Sequence, residues 1–341
     1  MKFSSLTQRI VNDDSDSPRK IDPWAVHNLA VQRASQGEPI TLLSIGQETN
    51  ETTPDVIVNS AIESLRAGRH HYADVRGDEK LRAEVAAYHN RLTGQSYNAD
   101  NVTIYVGAQN ALFAVAQVLL ESSDEVILVA PFYTTYEATF AAPGPKVVTV
   151  QVEASDGYQL NEDALLNAIS DKTRAIVLNA PNNPLGSRYT KEQLNKIVQA
   201  CVDNNIWLIL DAVYIDIVDA DSIALPHHVP GSKDILITVG SLSISHRMTG
   251  WRVGWAIGPD PLSEHLGNLS VCMHYGLAPF VMDAATTALQ HSNDTPALVR
   301  SVMLERRTLV RKSLVNLDPV RVLDAGQGMF VLLDVEPMGI D

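Results

Sequence analysis

Seven short apolar runs lie between residues 101 and 257, and stretches of helical periodicity separate them. Near-continuous apolar runs of this length are typical of strands buried on both faces, and their alternation with helices is typical of a parallel sheet. The predicted strands are Val102–Val106, Glu125–Val129, Lys146–Val150, Ala175–Asn179, Trp207–Asp211, Ile235–Val239 and Val253–Ile257. The chain is therefore expected to be an α/β protein built on one parallel sheet.

The segments on either side of this sheet follow other patterns. They indicate a polar N-terminal arm, helices at Pro23–Gln36 and near Thr295–Leu317, and strands at Ile40–Ile45, Val320–Leu323 and Met329–Val335. We predict three parts. These are an arm with a small-domain segment over residues 1–50, a large domain over residues 51–290, and the start of a smaller C-terminal domain over residues 291–341.

The chain carries a formal net charge of −14 over 341 residues. Nucleic acids and anionic membranes attract basic surfaces, so neither is an expected partner. Cys201 and Cys272 are too few and too far apart for a disulfide framework or a zinc site, and no metal is expected. The first residues lack the apolar core of a signal peptide, and no stretch approaches the roughly 20 apolar residues that span a bilayer. We expect a cytoplasmic protein.

Glycine-rich and polar segments follow several predicted strands, at the end where open parallel sheets bind ligands. Gly107-Ala108-Gln109 follows the first strand and precedes a helix predicted at Asn110–Leu120. Free backbone N–H groups and the helix dipole favour a phosphate at such a turn. An ordinary strand-to-helix turn is the alternative.

Two further segments occupy the same position after later strands. The loop Asn179–Gly186 is rigid enough to direct an amide side chain, although turns rich in Asn, Pro and Gly are common. Asp211 ends an apolar strand, and Tyr214 follows it three residues later. A carboxylate at the end of a buried strand requires a partner, and a helix N-cap is the alternative role.

The most specific stretch is residues 241–255, with the sequence SLSISHRMTGWRVGW. It resembles the lysine loop of class I/II aminotransferases, in which Ser-x-Ser-Lys precedes Gly-Trp-Arg-x-Gly by a short fixed gap. The Asn-Asn-Pro-x-Gly loop, the Asp-x-x-Tyr strand end and the segment Tyr72–Gly77 occur in the family's order. The chain is identified as a member of this family over essentially its whole length.

The resemblance implies fold type I: a large domain with a mostly parallel seven-stranded sheet flanked by helices, and a smaller α+β domain that is C-terminally incomplete here. It also implies pyridoxal 5′-phosphate as the cofactor, an amino acid and an α-keto acid as small-molecule substrates, and a homodimer. Arginine is one candidate amino donor, and pyruvate is a candidate acceptor.

The resemblance further implies a role for each site residue. Asp211 would pair with the pyridinium nitrogen, Tyr214 and Asn183 would bind the phenolic oxygen of the ring, and Tyr133 would stack on the ring face. Ser241, Ser243, Arg252 and the backbone of Gly107, Ala108 and Gln109 would lie at the cofactor on its phosphate side. Tyr72 would reach the phosphate of the neighbouring subunit, and Gly46 would lie beside the substrate.

The sequence departs from the family at the Schiff-base lysine, where Ile244 stands. Isoleucine can neither bind the cofactor covalently nor transfer a proton. Lys233 lies beyond the preceding strand and cannot substitute, and His246 is expected on the loop surface. No residue matches the family's substrate-carboxylate arginine, and Gln47–Glu51 alters the segment that lines the substrate entrance.

Three functions remain open from the sequence. The first is a pyridoxal-phosphate-dependent amino acid aminotransferase, as the resemblance implies. The second is a cofactor-binding pseudoenzyme or a decayed, truncated aminotransferase, because of Ile244. The third is an enzyme of the same fold with other chemistry, such as a lyase or a histidine-based dehydratase.

Overall fold

The computed structural model describes residues 23–47, 51–219, 223–291, 294–323 and 326–339. Two units are distinguished, residues 1–52 and 53–341. In the first unit, helix α1 spans Pro23–Ser35, close to its predicted bounds. The strand predicted at Ile40–Ile45 is wrong, because these residues form no strand. Leu42 and Leu43 are exposed, and none of the described strands pairs with this segment.

The second unit is built on a seven-stranded sheet with the order β1-β7-β6-β5-β4-β2-β3. The strands are β1 Val102–Val106, β2 Glu125–Ala130, β3 Lys146–Gln151, β4 Thr173–Asn179, β5 Trp207–Asp211, β6 Leu236–Ser241 and β7 Val253–Ile257. Strand β7 runs antiparallel to both of its neighbours, and the other pairs are parallel. The mostly parallel seven-stranded sheet is thereby confirmed.

Helices cover both faces of this sheet. They are α2 Asp55–Arg66, α3 Glu79–Thr93, α4 Ala108–Leu119, α5 Tyr136–Ala141, α6 Glu162–Asn167, α7 Lys191–Asn204, α8 Asp260–Met273 and α9 Pro279–Gln290. A further helix, α10 Asp294–Leu314, packs against the short turn Ile215–Ile217. Successive residues of a strand join different clusters: Ile104 packs with residues of α2, α3 and α9, and Tyr105 packs with residues of α4 and α8. The near-continuous apolar character of the strands follows from this burial on both faces.

The C-terminal part forms a small antiparallel sheet of β8 Arg321–Leu323 and β9 Leu332–Asp334. Both strands lie within the predicted segments and are shorter than predicted. The three-part domain division remains a prediction. Among the residues that the structure describes, no helix has the length and apolarity to cross a membrane.

Candidate active site

The sheet brings the predicted site segments to one edge. Strand β5 pairs in register with its parallel neighbours there, with Asn179 beside Asp211 and Asp211 beside Val239. Because β7 is antiparallel, its first residues lie at this same edge, and Gly254 pairs with both Tyr105 of β1 and Ser241 of β6. The antiparallel strand therefore places Arg252 next to the turn that follows β1.

Two glycines allow this close approach. A Cβ on Gly107 would lie 2.3 Å from Nη2 of Arg252, and Gly107 has φ +82°. A Cβ on Gly254 would lie 2.4 Å from the backbone nitrogen of Ala108. A side chain on Gly107 would therefore displace the Arg252 guanidinium, and one on Gly254 would clash with backbone. The Arg252 guanidinium thus lies directly against Gly107, at the N-terminus of α4.

The start of α4 leaves backbone donors available. Gly107 is its N-cap and caps it with no side-chain hydrogen bond. The Gln109 side chain bonds instead to Thr139 Oγ1 at 2.7 Å and accepts from Thr135 Oγ1 at 2.6 Å. The first N–H groups of a helix have no intrahelical acceptor. Together with Arg252 they form a positive corner suited to an anion.

Ser241 is buried at the end of β6, and its Oγ accepts a hydrogen bond from the Ser243 backbone at 3.3 Å. Ile244 follows in the same loop and is partly buried. Lys233 lies before β6, with Nζ 5.7 Å from the centre of the Tyr97 ring. It belongs to the opposite end of the strand, as the sequence predicts, and cannot reach this edge.

Asp211 is a buried carboxylate, 6% exposed, at the end of β5. Burial raises its pKa, and hydrogen bonds from the Tyr136 hydroxyl and the Val213 backbone N–H act in the opposite direction. No cationic side chain of the described residues contributes to that pKa. A buried carboxylate without a cation is suited to a ligand that carries a positive N–H group.

Asn183 and Tyr214 form a pair, with Nδ2 of the amide 3.0 Å from the phenolic oxygen. The loop that carries Asn183 is held by Asn179, whose Oδ1 accepts from the Asn183 backbone at 2.6 Å. Phe330 packs edge-on against Tyr214, with 5.3 Å between ring centroids. The two polar residues predicted at one ring oxygen therefore do lie together.

The structure bears differently on the predictions for Tyr133, Tyr72 and Gly46. Tyr133 is 39% exposed and lies 6.0 Å from the Tyr136 ring between centroids, so it borders the same site. Tyr72 is 88% exposed and packs edge-on against Tyr275 at 5.1 Å. Its contact with a neighbouring subunit remains a prediction. Gly46 belongs to the first unit, and its place beside the substrate remains a prediction too.

His246 is not on the loop surface, and that expectation is wrong. The side chain is fully buried, because Leu242 and Met248 on either side of it are drawn into the core. Its Nδ1 lies 2.9 Å from Ser245 Oγ, and burial lowers its pKa to about 4. A neutral, fully buried imidazole cannot contact a substrate, so the histidine-based alternative loses its candidate base.

Two residues of the site were missed from the sequence. Tyr136 donates to Asp211, and Phe330 packs on Tyr214. Tyr136 follows Tyr133 by three residues, and its backbone N–H donates to the Tyr133 carbonyl at 2.9 Å, so the two residues belong to one turn and their spacing was an available signal. Phe330 carries no such signal, because its contact joins segments more than a hundred residues apart.

A large groove lies elsewhere. It has a volume of about 990 Å³, and basic residues that include Lys191 and His228 line it, with none of the predicted cofactor contacts among its lining residues. We therefore define the candidate site by its converging polar groups and not by cavity size.

The family model for aminotransferase class I and II matches residues 38–338 of the chain. Arginine–pyruvate transaminase AruH of Pseudomonas aeruginosa is 41% identical over 340 residues, which are 100% of this chain and 85% of that protein. An aspartate aminotransferase of Streptomyces avermitilis is 31% identical over 84% of this chain and 71% of its own length.

The comparison with solved structures also finds aminotransferases. The structure of aspartate aminotransferase from Thermus thermophilus with maleate superposes with a TM-score of 0.90 at 26% identity, over 99% of this chain and 86% of that one. Together with the edge geometry of Gly107, Asp211 and Arg252, these matches confirm the resemblance seen in the motifs: the chain belongs to the class I and II aminotransferase family, whose members are transferases of fold type I.

Proposed function

We propose that the chain binds pyridoxal 5′-phosphate reversibly, without a covalent bond, at the edge formed by Asp211, Asn183, Ser241 and Arg252. The observation that carries the proposal is the buried Asp211 carboxylate, which lacks a cation among the described residues. A pyridinium N–H supplies the missing positive partner. The proposal concerns binding first, because Ile244 cannot form the family's covalent link.

The phosphate end fits the opposite side of the same edge. The guanidinium of Arg252 lies 2.3 Å from where a Cβ of Gly107 would be, and the α4 N-terminus presents its backbone N–H groups beside it. A planar guanidinium binds phosphate oxygens in pairs. Ser241 adds a hydroxyl from β6. These groups favour a dianionic phosphate over a neutral ligand.

The remaining groups orient the ring. Asn183 and Tyr214, already paired at 3.0 Å, offer an amide N–H and a hydroxyl to the ring's phenolic oxygen. Tyr133 offers an aromatic face, which suits a flat heterocycle. When bound, pyridoxal phosphate supplies a ring that withdraws electrons from a substrate's α-carbon. Asp211 is the residue that keeps the ring nitrogen protonated and so makes the ring a better acceptor.

A titration with pyridoxal phosphate, followed by absorbance and protein fluorescence, tests this proposal. The chain is expected to saturate with the spectrum of the free aldehyde or its hydrate. Asp211→Asn and Arg252→Gln are expected to weaken binding at opposite ends of the cofactor. Glu125→Gln, at the other end of the sheet, serves as the matched control. Borohydride reduction that leaves the cofactor covalently on a lysine of the unaltered protein would contradict the non-covalent mode.

We further propose that the family reaction, where it occurs, moves an amino group between an amino acid and an α-keto acid. Arginine and pyruvate are the first pair to test, because the relative that is 41% identical carries both in its name. A coupled assay for alanine formed from pyruvate measures this, with aspartate as the comparison donor. Turnover with aspartate alone would exclude the arginine assignment.

The second candidate is a cofactor-binding pseudoenzyme, and Ile244 favours it. A general acid–base group typically contributes about 10²- to 10⁴-fold to a rate, and isoleucine supplies none of it. Reversible cofactor binding with no detectable alanine would establish this function. Saturable turnover by the unaltered chain would exclude it.

We also propose a cytoplasmic homodimer. Tyr72 is 88% exposed, which leaves its side chain available to a second subunit. Sedimentation of the purified protein with and without pyridoxal phosphate tests the assembly. A folded monomer that binds the cofactor tightly would contradict a shared site.

A further inference from the structure

The Gln109 side chain joins two segments of the candidate site that are separate in sequence. Its Nε2 donates to Thr139 Oγ1 at 2.7 Å, and its Oε1 accepts from Thr135 Oγ1 at 2.6 Å. The two threonines belong to one helical turn, because the Thr139 backbone N–H donates to the Thr135 carbonyl at 2.9 Å. A hydroxyl can donate or accept, so both bonds hold for either orientation of the amide.

Gln109 itself belongs to the phosphate side of the site. It is the second residue of α4, the helix whose N-terminus lies beside Arg252. It follows Gly107, against which the Arg252 guanidinium lies, by two residues. The regular backbone of the helix fixes Gln109 relative to Gly107, so its side chain starts from a set position beside the phosphate side.

The two threonines belong to the ring side of the site. Tyr136 lies between them in sequence and donates to Asp211. Tyr133, which is predicted to stack on the ring, precedes them, and its carbonyl accepts from the Tyr136 backbone at 2.9 Å. The turn of residues 133–139 therefore carries both of the aromatic groups assigned to the ring, and Gln109 is bonded to it twice.

The Thr135 hydroxyl is not used for its own helix. Thr135 is the N-cap of α5, and threonine at an N-cap commonly accepts a hydrogen bond from a backbone N–H of that helix. The Thr135 side chain makes no such bond and donates to Gln109 instead. Helix α5 has six residues, and a helix this short is marginal by itself. Its position therefore depends on contacts with its neighbours, and the Gln109 amide supplies two of them.

Apolar packing holds the same two helices together but is less exact. Tyr136 and Phe140 of α5 belong to one buried cluster with Ala111 and Leu112 of α4. Apolar attraction is non-directional, whereas a hydrogen bond weakens steeply when its distance or angle changes. The two bonds of Gln109 are therefore the contacts suited to fix how far α5 lies along the start of α4.

We propose that Gln109 is a positioning residue that keeps the ring side of the site at a set distance from its phosphate side. Its amide holds Thr135 and Thr139, and with them Tyr133 and Tyr136, against the start of α4. The side chain acts through α5 and not on the cofactor. The inference rests on the proposed function, because this spacing matters only for a ligand that spans both sides, as pyridoxal phosphate does.

The test is a titration of the full chain with pyridoxal phosphate for Gln109→Leu, Thr135→Val, Thr139→Val and the triple variant. Each threonine variant removes one hydroxyl, and Gln109→Leu removes both bonds. A neutral hydrogen bond is modest in strength, so we expect about threefold weaker binding for each threonine variant and about tenfold for Gln109→Leu. The triple variant is expected to lose little more than Gln109→Leu, because all three changes break one connection.

Asn101→Leu is the matched control. Asn101 is also a side-chain amide bonded at both ends: Nδ2 donates to the Gly258 carbonyl at 3.0 Å, and Oδ1 accepts from the Asn98 backbone at 3.0 Å. It directly precedes β1 and so lies at the opposite end of that strand from Gly107. The variant is expected to lower the melting temperature and to leave the Kd for pyridoxal phosphate unchanged. A merely structural role for Gln109 would give this same pattern.

A rescue variant adds a second readout. Thr139→Ser keeps the hydroxyl that accepts from Gln109, and it is expected to retain wild-type affinity for pyridoxal phosphate where Thr139→Val does not. Equal losses of affinity in the two variants would mean that the methyl group matters and not the hydrogen bond, and would overturn the proposal.

Inorganic phosphate supplies a third readout, because it occupies only the phosphate side. Its inhibition constant against pyridoxal phosphate is expected to change by less than about twofold in Gln109→Leu, since no spacing between two sides is involved. Arg252→Gln, which alters the phosphate side directly, is expected to weaken binding of both ligands. Equal weakening of both ligands by Gln109→Leu would show that the substitution disturbs the phosphate side itself, against the proposal.

The outcomes separate the positioning role from the proposed function. Failure of the unaltered chain to bind pyridoxal phosphate overturns both. Wild-type affinity in Gln109→Leu and Thr139→Val, alongside weak binding by Asp211→Asn, overturns the positioning role alone. If Gln109→Leu does not fold, the comparison of Thr139→Val with Thr139→Ser decides, because both variants leave the amide in place.

Discussion

The Tyr136 hydroxyl donates a hydrogen bond to Oδ2 of Asp211, and both side chains are almost fully buried. The other oxygen, Oδ1, accepts from the Val213 backbone at 3.1 Å. Both bonds favour the ionised carboxylate and oppose the desolvation that raises its pKa. Tyr136 also lies 6.0 Å from Tyr133 between ring centroids, so one residue supports two predicted cofactor contacts.

Tyr136→Phe is expected to weaken pyridoxal phosphate binding about tenfold, because a hydrogen bond to a buried charge is lost while the aromatic packing stays. Titration of the purified variant measures this. Tyr105→Phe is the matched control, since its buried hydroxyl donates to the Leu266 carbonyl at 3.3 Å and not to Asp211. Equal losses of affinity in the two variants would show that the effect is one of general stability.

The sequence locates the sheet well because strands buried on both faces leave a near-continuous apolar run. Val102–Val106 and Trp207–Asp211 match their predicted bounds. The strand predicted at Ile40–Ile45 is wrong for the converse reason. An apolar segment becomes a strand only where another strand is available to pair with it. The surface position predicted for His246 is wrong because its burial depends on how the whole loop folds, and the polarity of the neighbouring residues does not indicate this.

The site residues also divide into those that could be predicted from the sequence and those that could not. Asp211 and Arg252 could be placed at one edge because strand ends and motif spacing fix their positions. Tyr136 and Phe330 could not, because their partners come from other elements and the contacts form only when those elements pack. The residues that support a site are therefore harder to read from a sequence than the residues that face its ligand.

Gly107→Ala is expected to reduce cofactor affinity more than stability alone would explain. A Cβ there would lie 2.3 Å from Nη2 of Arg252 and displace the guanidinium from the phosphate side. Gly94→Ala is the matched control, because Gly94 also has a positive φ, +69°, but open space around it. Gly94→Ala is expected to lose about 1–2 kcal/mol of stability from its left-handed backbone. Gly107, at φ 82° and ψ 165°, lies in a region open essentially to glycine, and Gly107→Ala is expected to lose about 1–3 kcal/mol. Only Gly107→Ala should bind pyridoxal phosphate poorly, and unchanged affinity would contradict the placement of Arg252.

The protein is expected to lose stability as the pH falls from 7 to 5. Burial lowers the pKa of His89 and of His246 to about 4, and that of His227 well below the usual value. These histidines take up protons in the unfolded chain near pH 6.5 but not in the folded one, so acid favours unfolding by about 2 kcal/mol for each at pH 5. Asp216 opposes this, because its raised pKa of about 6 favours the folded state as the pH falls.

Thermal melts at pH 7 and pH 5 measure the effect. His89→Phe, which keeps an aromatic ring beside Tyr97, is expected to reduce the difference between the two melts. The exposed His265, changed to Gln, is the control and is expected to leave the difference unchanged. Greater stability at pH 5 than at pH 7 would contradict this prediction. It would mean that buried carboxylates with raised pKa values contribute more to the pH dependence of stability than the buried histidines do.

Ile244→Lys is expected to give a covalent bond between the cofactor and residue 244. The loop that carries this position is held at its start by β6, which ends at Ser241, and its later residues Leu242 and Met248 are buried in the core. A lysine there would extend from the same loop as the predicted phosphate contacts, beside the edge that carries Asp211. Borohydride reduction followed by peptide mass analysis is expected to find the adduct on residue 244. Ile244→Gln, which is similar in length and has no amine, is expected to bind the cofactor reversibly and give no adduct. An Ile244→Lys protein that binds pyridoxal phosphate without forming the adduct would show that this position does not face the cofactor, and the pseudoenzyme would then be the better account of the chain.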